Sequence, residues 1–212
     1  MATYLLFAGA ASAQETETFV STGHLNGSSH PYNFILPGFN TALGTLESVD
    51  LTMKFNLRPA ISVDNDTNTA LNFADASLTL PIDVTGPDGF DYNTDLAASL
   101  DSGTAKPGMN TFWLRETSTK GNEAVNPSAF DFWESQTKQK VVLTLSPGVC
   151  TYEGSALGSG GLFFGGKATD CARITVQYTY QAVPEPAGKY FSVIVAVAVM
   201  LMLIGRKKPL RI

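Results

Sequence analysis

The chain is poor in the residues from which most active sites are built. Two histidines, His24 and His30, and two cysteines, Cys150 and Cys171, serve 212 residues. The histidines lie in a Gly/Ser/Asn-rich stretch with no Cys or carboxylate at a recognisable ligand spacing, so they read as solvated loop residues rather than a metal pair. The cysteines lack C-x-x-C spacing, which argues against a zinc or redox pair. No G-x-S-x-G nucleophile elbow occurs, and no Ser/His/Asp order stands out. Gly158-Ser159-Gly160-Gly161 is completed by no Lys-Ser or Lys-Thr and followed by no helical pattern, so it is not a phosphate loop. Bases are scarce where they would matter. Of 14 Lys and Arg, five lie at Lys189 and beyond, leaving nine against all 19 acids in Gln14–Pro186, a net charge near −10. Such a balance lacks the footprint of a nucleic-acid binder and disfavours adhesion to anionic lipid. It favours solubility in the periplasm or outside the cell. Helical signal is also scarce; Asp95–Leu100 is the one stretch read as a helical turn.

What is present is strand. Thr16–Ser21 is the first candidate. From Val49 to Leu57 apolar and polar residues alternate strictly, the mark of a half-buried strand. Ala60–Val63 and Ala70–Phe73 flank Asp64-Asn65-Asp66-Thr67-Asn68, a cluster of turn formers. Ser77–Val84 alternates again, and Gly86-Pro87-Asp88-Gly89 is a turn. Thr111–Glu116, Ala129–Trp133, Lys140–Leu145 and Ala172–Tyr180 complete the set, with a glycine-rich loop from Gly154 to Gly166. Short strands divided by turns predict an all-β domain, an antiparallel β-sandwich or jelly roll. Met53, Phe55, Leu80, Ile82, Val176 and Tyr178 should be buried, and Lys54, Thr79, Asp83, Thr175 and Gln177 should face out.

The two ends carry targeting signals. Leu5–Ala13 is an apolar segment ending in Ala11-Ser12-Ala13, an A-x-A-like signal-peptidase site before Gln14, although no Lys or Arg precedes it. At the other end, Val183-Pro184-Glu185-Pro186 precedes a charge-free span, Tyr190 to Gly205, and a basic tail with Arg206, Lys207, Lys208 and Arg211. As a helix the span would measure about 24 Å, short of the roughly 30 Å bilayer core. Snorkelling of Lys189 and Arg206 would close the gap. The basic stop places the C-terminus inside and the domain outside. The prolines around Glu185 hold the chain extended and free of helix or ladder hydrogen bonds. This ordered layout resembles the PEP-CTERM sorting signal of exosortase-processed bacterial envelope proteins. The resemblance implies cleavage near Pro184-Glu185-Pro186 by an exosortase-like enzyme. It also implies transient anchorage in the inner membrane and release to the cell surface or matrix. Permanent single-span anchorage is the rival reading.

The division expected is a signal peptide at 1–13, a β-sandwich ectodomain at 14–182 and the sorting signal at 183–212, its transmembrane span at 190–205 and basic tail at 206–212. In an exported protein the even cysteine count predicts a Cys150–Cys171 disulfide, worth about 3 kcal/mol for a loop of roughly 20 residues.

Leu36-Pro37-Gly38-Phe39-Asn40-Thr41-Ala42-Leu43-Gly44-Thr45-Leu46 leads into the alternating strand through Met53. This segment is similar to the opening of the choice-of-anchor E domain, departing from it at Gly38-Phe39-Asn40. That resemblance implies fold and surface location but no assigned chemistry.

Few constellations suggest more. Asp64, Asp66 and Asn68 form D-x-D-x-N, with Asp75 at the twelfth position of a calcium loop. Thr69 stands where the loop needs glycine, so a polar hairpin turn is the favoured reading and no metal or other cofactor is expected. Carboxylates are plentiful enough for a glycosidase pair, which needs only about 5–10 Å separation in space. Tyr178, Tyr180, Trp113 and Trp133 are aromatics suited to sugar stacking, though core packing is the commoner fate. The expectation is a non-enzymatic, structural or adhesive envelope or matrix protein associated with exopolysaccharide. The alternatives are a carbohydrate-binding module or carbohydrate-active enzyme, and a permanently anchored surface receptor.

Overall fold

The computed structural model describes residues 13–25, 30–135, 140–158 and 160–183. Ala11, Pro184, Glu185, Pro186, the 190–205 span, Arg206, Lys207, Lys208 and Arg211 lie outside them. No helix among the described residues is long and apolar enough to cross a membrane.

Two antiparallel sheets face each other. The first joins β1 (Gln14–Leu25), β12 (Leu162–Ala182), β4 (Gly44–Asn65) and β7 (Gly108–Trp113) in that order, with β8 (Thr117–Ala124) also on β4. The second joins β11 (Thr151–Leu157), β5 (Leu71–Thr85), β10 (Lys140–Pro147) and β2 (Tyr32–Pro37), with β6 (Asp91–Ala105) on β5. A two-stranded parallel pair, β3 (Phe39–Asn40) with β9 (Glu134–Ser135), closes one end. The all-β sandwich expected from alternation is therefore observed.

Period 2 explains the core. Val49, Leu51, Met53, Phe55 and Leu57 of β4 face Leu78, Leu80, Ile82 and Val84 of β5, with Ile174, Val176 and Tyr178 of β12 beside them. Lys54, Asp83 and Gln177 are exposed, while Thr79 and Thr175 are half-buried. Two bulges reset the phase. One lies opposite Thr179 and Tyr180 and brings Leu46 into the core. The other is at Asp75, which has φ +52° and is skipped by both neighbouring strands, so that Phe73 and Ala76 both point inward.

Several local expectations change. Asp95–Leu100 is not a helical turn but part of β6, where Leu96 lies opposite Leu80. Ala129–Trp133 is not a strand. Pro127–Phe132 forms a 3-10 helix, capped by the Asn126 side chain accepting from Ser128 N at 3.0 Å. Most of the glycine-rich segment pairs rather than loops, in β11 and β12. Gly166 is needed there because a Cβ would sit 2.2 Å from the Ala60 carbonyl oxygen.

The expected disulfide is absent: Cys150 and Cys171 are both free thiols. Cys150 joins β10 to β11, packs against the core and contacts Tyr152. Cys171 lies on β12 between His24 and Asn56, and its neighbour Ala172 takes the inward position. Cys150 lies in the turn between two strands of the second sheet, whereas Cys171 has outward phase in the first, and no disulfide joins them.

Candidate functional site

The outward face of the first sheet gathers exposed basic and aromatic side chains. Odd-numbered residues of β4 and even-numbered residues of β12 fill the core from Val49 onward, so their alternates point away from it. Antiparallel register sorts these alternates into ranks across the sheet. One rank reads Thr22, Arg173, Lys54, Lys120. The next reads His24, Cys171, Asn56, Ser118. Arg58 follows, paired to Glu116 at 3.3 Å, the one ion pair among the described residues.

Beyond it lies an aromatic platform. Trp113 and Lys167 flank Ala60 on either side. Trp113 is 69% exposed, and the Lys167 ammonium sits 4.8 Å from its ring centroid, a cation–π distance. Ala60 has outward phase yet is fully buried, as expected beneath that pair. At the far end Met109 and Phe163 flank Asp64 and are 76% and 62% exposed. Thr111, Ser62 and Gly165 form the floor between, and nothing lies within 4 Å of where a Gly165 Cβ would stand. The platform ends about 65 Å along β4 from Gly44, at roughly 3.3 Å per residue. Gly44 pairs with Ala182, where the tail departs.

The other aromatics named from sequence are internal. Tyr178 and Tyr180 have inward phase; their hydroxyls donate to Pro37 O at 3.0 Å and to a Glu15 carboxylate oxygen at 2.9 Å. Burial, then the nearby Glu17 charge, holds the Tyr178 phenol far above its ordinary value. Trp133 is fully buried, edge-on to Phe90, with no partner for its Nε1 among the described residues.

The calcium set is not assembled. Asp64 faces out from β4, Asp66 and Asn68 lie in the following turn, and Asp75 sits on the bulge of β5 in the other sheet. Asn65 organises the turn instead. Its amide donates to Thr69 O at 2.8 Å and Ala105 O at 2.9 Å, while its oxygen accepts from Thr67 N and Oγ1. Among the described residues no three His, Cys, Asp or Glu side chains come together as a metal site. His24 is exposed on β1 and His30 precedes β2.

Two carboxylates line one depression on the outward face of the second sheet. Asp83 lies opposite Asn93, and Asp95 lies opposite Pro81, around an open depression that Ser146 also lines.

At the ends, Ala13 O accepts from Ala182 N at 3.0 Å, and Gln14 opens β1 opposite Gln181. Val183 N donates to Leu43 O at 3.0 Å, and Val183 is exposed. The start of β1 and the end of β12 thus share one end of the sandwich.

No protein-family model matches the chain, and no curated protein matches it in sequence. Viral structures are among the solved structures it resembles. The structure of infectious bursal disease virus, Gx strain, is 10% identical over 87% of this chain and 42% of that one, at a TM-score of 0.23. The VP2 subviral particle of the same virus is 10% identical over 80% of this chain and 38% of that one, at 0.25. The chain thus spans less than half the length of either, and at these TM-scores the likeness carries no argument.

Proposed function

We propose that this protein is an exported structural or adhesive component of the cell envelope or extracellular matrix, held in polysaccharide by the outward face of its first sheet. The observation that carries the reading is the platform of Trp113, Phe163 and Met109, large apolar groups left in solvent on one face of the sheet. Exposed aromatics beside small polar residues suit the apolar faces and hydroxyls of sugars. The platform lies at the end of β4 away from the tail, as an adhesive surface on a tethered domain requires. Val183 is exposed and follows the last strand directly, which favours access to the motif that begins there.

Affinity electrophoresis in gels containing the native host's extracellular polysaccharide tests the binding. The wild type should be retarded and Trp113→Ala released. Equal mobility of both in all gels refutes the platform. Processing is tested by mass spectrometry of the mature protein, which should yield no peptide covering Val193–Leu203. Recovery of the intact tail would leave permanent anchorage in place of processing.

A second reading, a carbohydrate-active enzyme, has one observation in its favour: the Asp83 and Asp95 carboxylates beside an open depression. Release of reducing ends that disappears in Asp95→Asn would replace the non-enzymatic reading with it.

A further inference from the structure

We infer that the polysaccharide is anionic, its carboxylates or other acidic groups held by Arg173, Lys54 and Lys120; this rests on the reading above that the first sheet's outward face binds glycan. The three cations come from distant parts of the sequence, yet register sets Lys54 directly between the other two. All three are exposed, and among the described residues none has an acidic partner. Like charges opposed across strands destabilise a sheet. In a chain with 19 acids, this rank nevertheless carries none. Blunting of a sheet edge accounts for Lys120 on β8, but β4 and β12 are interior strands with a neighbour on each side. Arg58 and Lys167 extend the basic strip toward Trp113, and Glu116 answers only Arg58.

The chemistry around the rank suits a sugar acid. Thr175, Thr52 and Asn122 form the adjoining rank, where the Thr52 hydroxyl donates to Asn122 Oδ1 at 3.0 Å. Hydroxyl and amide groups thus border the cations. Neighbouring strands lie about 4.8 Å apart, close to the advance of one pyranose ring along a chain, so successive acidic sugars would meet successive cations. A nucleic acid or anionic membrane would bring its charge against the acidic remainder of the domain as well. A single glycan chain contacts the strip alone.

The experiment uses the mature protein and three probes of defined chemistry: polygalacturonate, its methyl ester, and the neutral glucan dextran. Variants are the triple change Arg173→Gln, Lys54→Gln and Lys120→Gln, the charge-preserving Lys54→Arg, and Trp113→Ala. The inference expects polygalacturonate to bind, the ester to bind far less, and added salt to weaken the complex. The triple variant should lose about tenfold or more in affinity, as three exposed charge contacts would supply. Lys54→Arg should bind as wild type does. A melting temperature no lower than wild type shows that the triple variant folds. Ester and dextran bound as well as the acid, with dependence on Trp113 but not on the three cations, overturns the anionic inference and leaves glycan binding standing. Binding of none of the three probes, together with mobility unaltered by native polysaccharide, overturns both. Capture of duplex DNA or phosphatidylserine vesicles through the three cations, with polygalacturonate left free, assigns the strip to another partner and overturns the inference.

Discussion

Lys54→Glu should make the protein more stable. Lys54 stands between Arg173 and Lys120 on the outward face, so the change replaces two like-charge neighbours by two opposite-charge ones. Cross-strand charge pairs are worth about 0.2–1 kcal/mol each. Two unit charges about 6 Å apart in water interact by roughly 0.7 kcal/mol before screening. Reversing both pairs should therefore stabilise the fold by about 1–2 kcal/mol at low ionic strength. The gain should fall steeply at about 1 M salt, where the screening length is only about 3 Å. Lys and Glu have similar, low strand preference, so backbone propensity does not mask the effect. One residue away the sign reverses. Phe55 is fully buried and stacked near Tyr92 at 6.4 Å between centroids, so Phe55→Asp buries an unpaired carboxylate and should cost several kcal/mol. Urea denaturation at about 0.01 M and 1 M salt reads both changes. A Lys54→Glu variant less stable than wild type at low salt, or a gain indifferent to salt, would refute the rank of opposed cations.

Tyr178→Phe removes the hydrogen bond to Pro37 O and should cost about 1 kcal/mol at neutral pH. Because burial raises the Tyr178 pKa, both states are protonated below pH about 10 and only the unfolded chain ionises above it. Stability should then fall by about 1.4 kcal/mol per pH unit from this group, so the variant should close the gap as pH rises; a constant gap sinks the assignment. Asp75→Gly should be neutral or stabilising by about 0.5–1 kcal/mol, because Asp75 is held at φ +52°, whereas Asp75→Val should cost more than about 1 kcal/mol. Equal urea midpoints for the two would remove the bulge. Alkylation without reduction should label both Cys150 and Cys171, Cys150 slowly because burial raises its thiol pKa; a peptide linking the two would restore the disulfide.

The sequence is most legible where packing is simplest. Residues 49–57 read as one strand because core and solvent alternate there without interruption. β4 and β5 read as fragments because their phase or chemistry breaks. Pro59 interrupts the pattern of β4, yet the strand runs through it. On one side of β4, β7 pairs as far as its last residue, Trp113, opposite Ala60, and β8 begins with Thr117 opposite Leu57, so Pro59 falls between the two ladders. There its carbonyl accepts from Leu114 N at 3.1 Å, and no ladder residue needs the missing N–H. The Asp75 bulge hides the continuity of Phe73 with Ala76. Asp95–Leu100 has helix-favouring Ala and Leu, but pairing along β5 overrides that preference.

The candidate site was legible in kind but not in place. Trp113 could be named as a stacking residue, although nothing local separates it from the buried Trp133. Lys54, Lys120 and Arg173 look like isolated counter-charges in an acidic chain. Their meaning depends on register between strands far apart in sequence, which no local pattern encodes. That register makes stability and function pull in opposite directions. If the rank serves an anionic ligand, the substitution that best stabilises the free protein, Lys54→Glu, should also be among the most damaging to binding. A stabilised variant that still binds polygalacturonate as wild type does would separate the two and leave the opposed cations without a purpose.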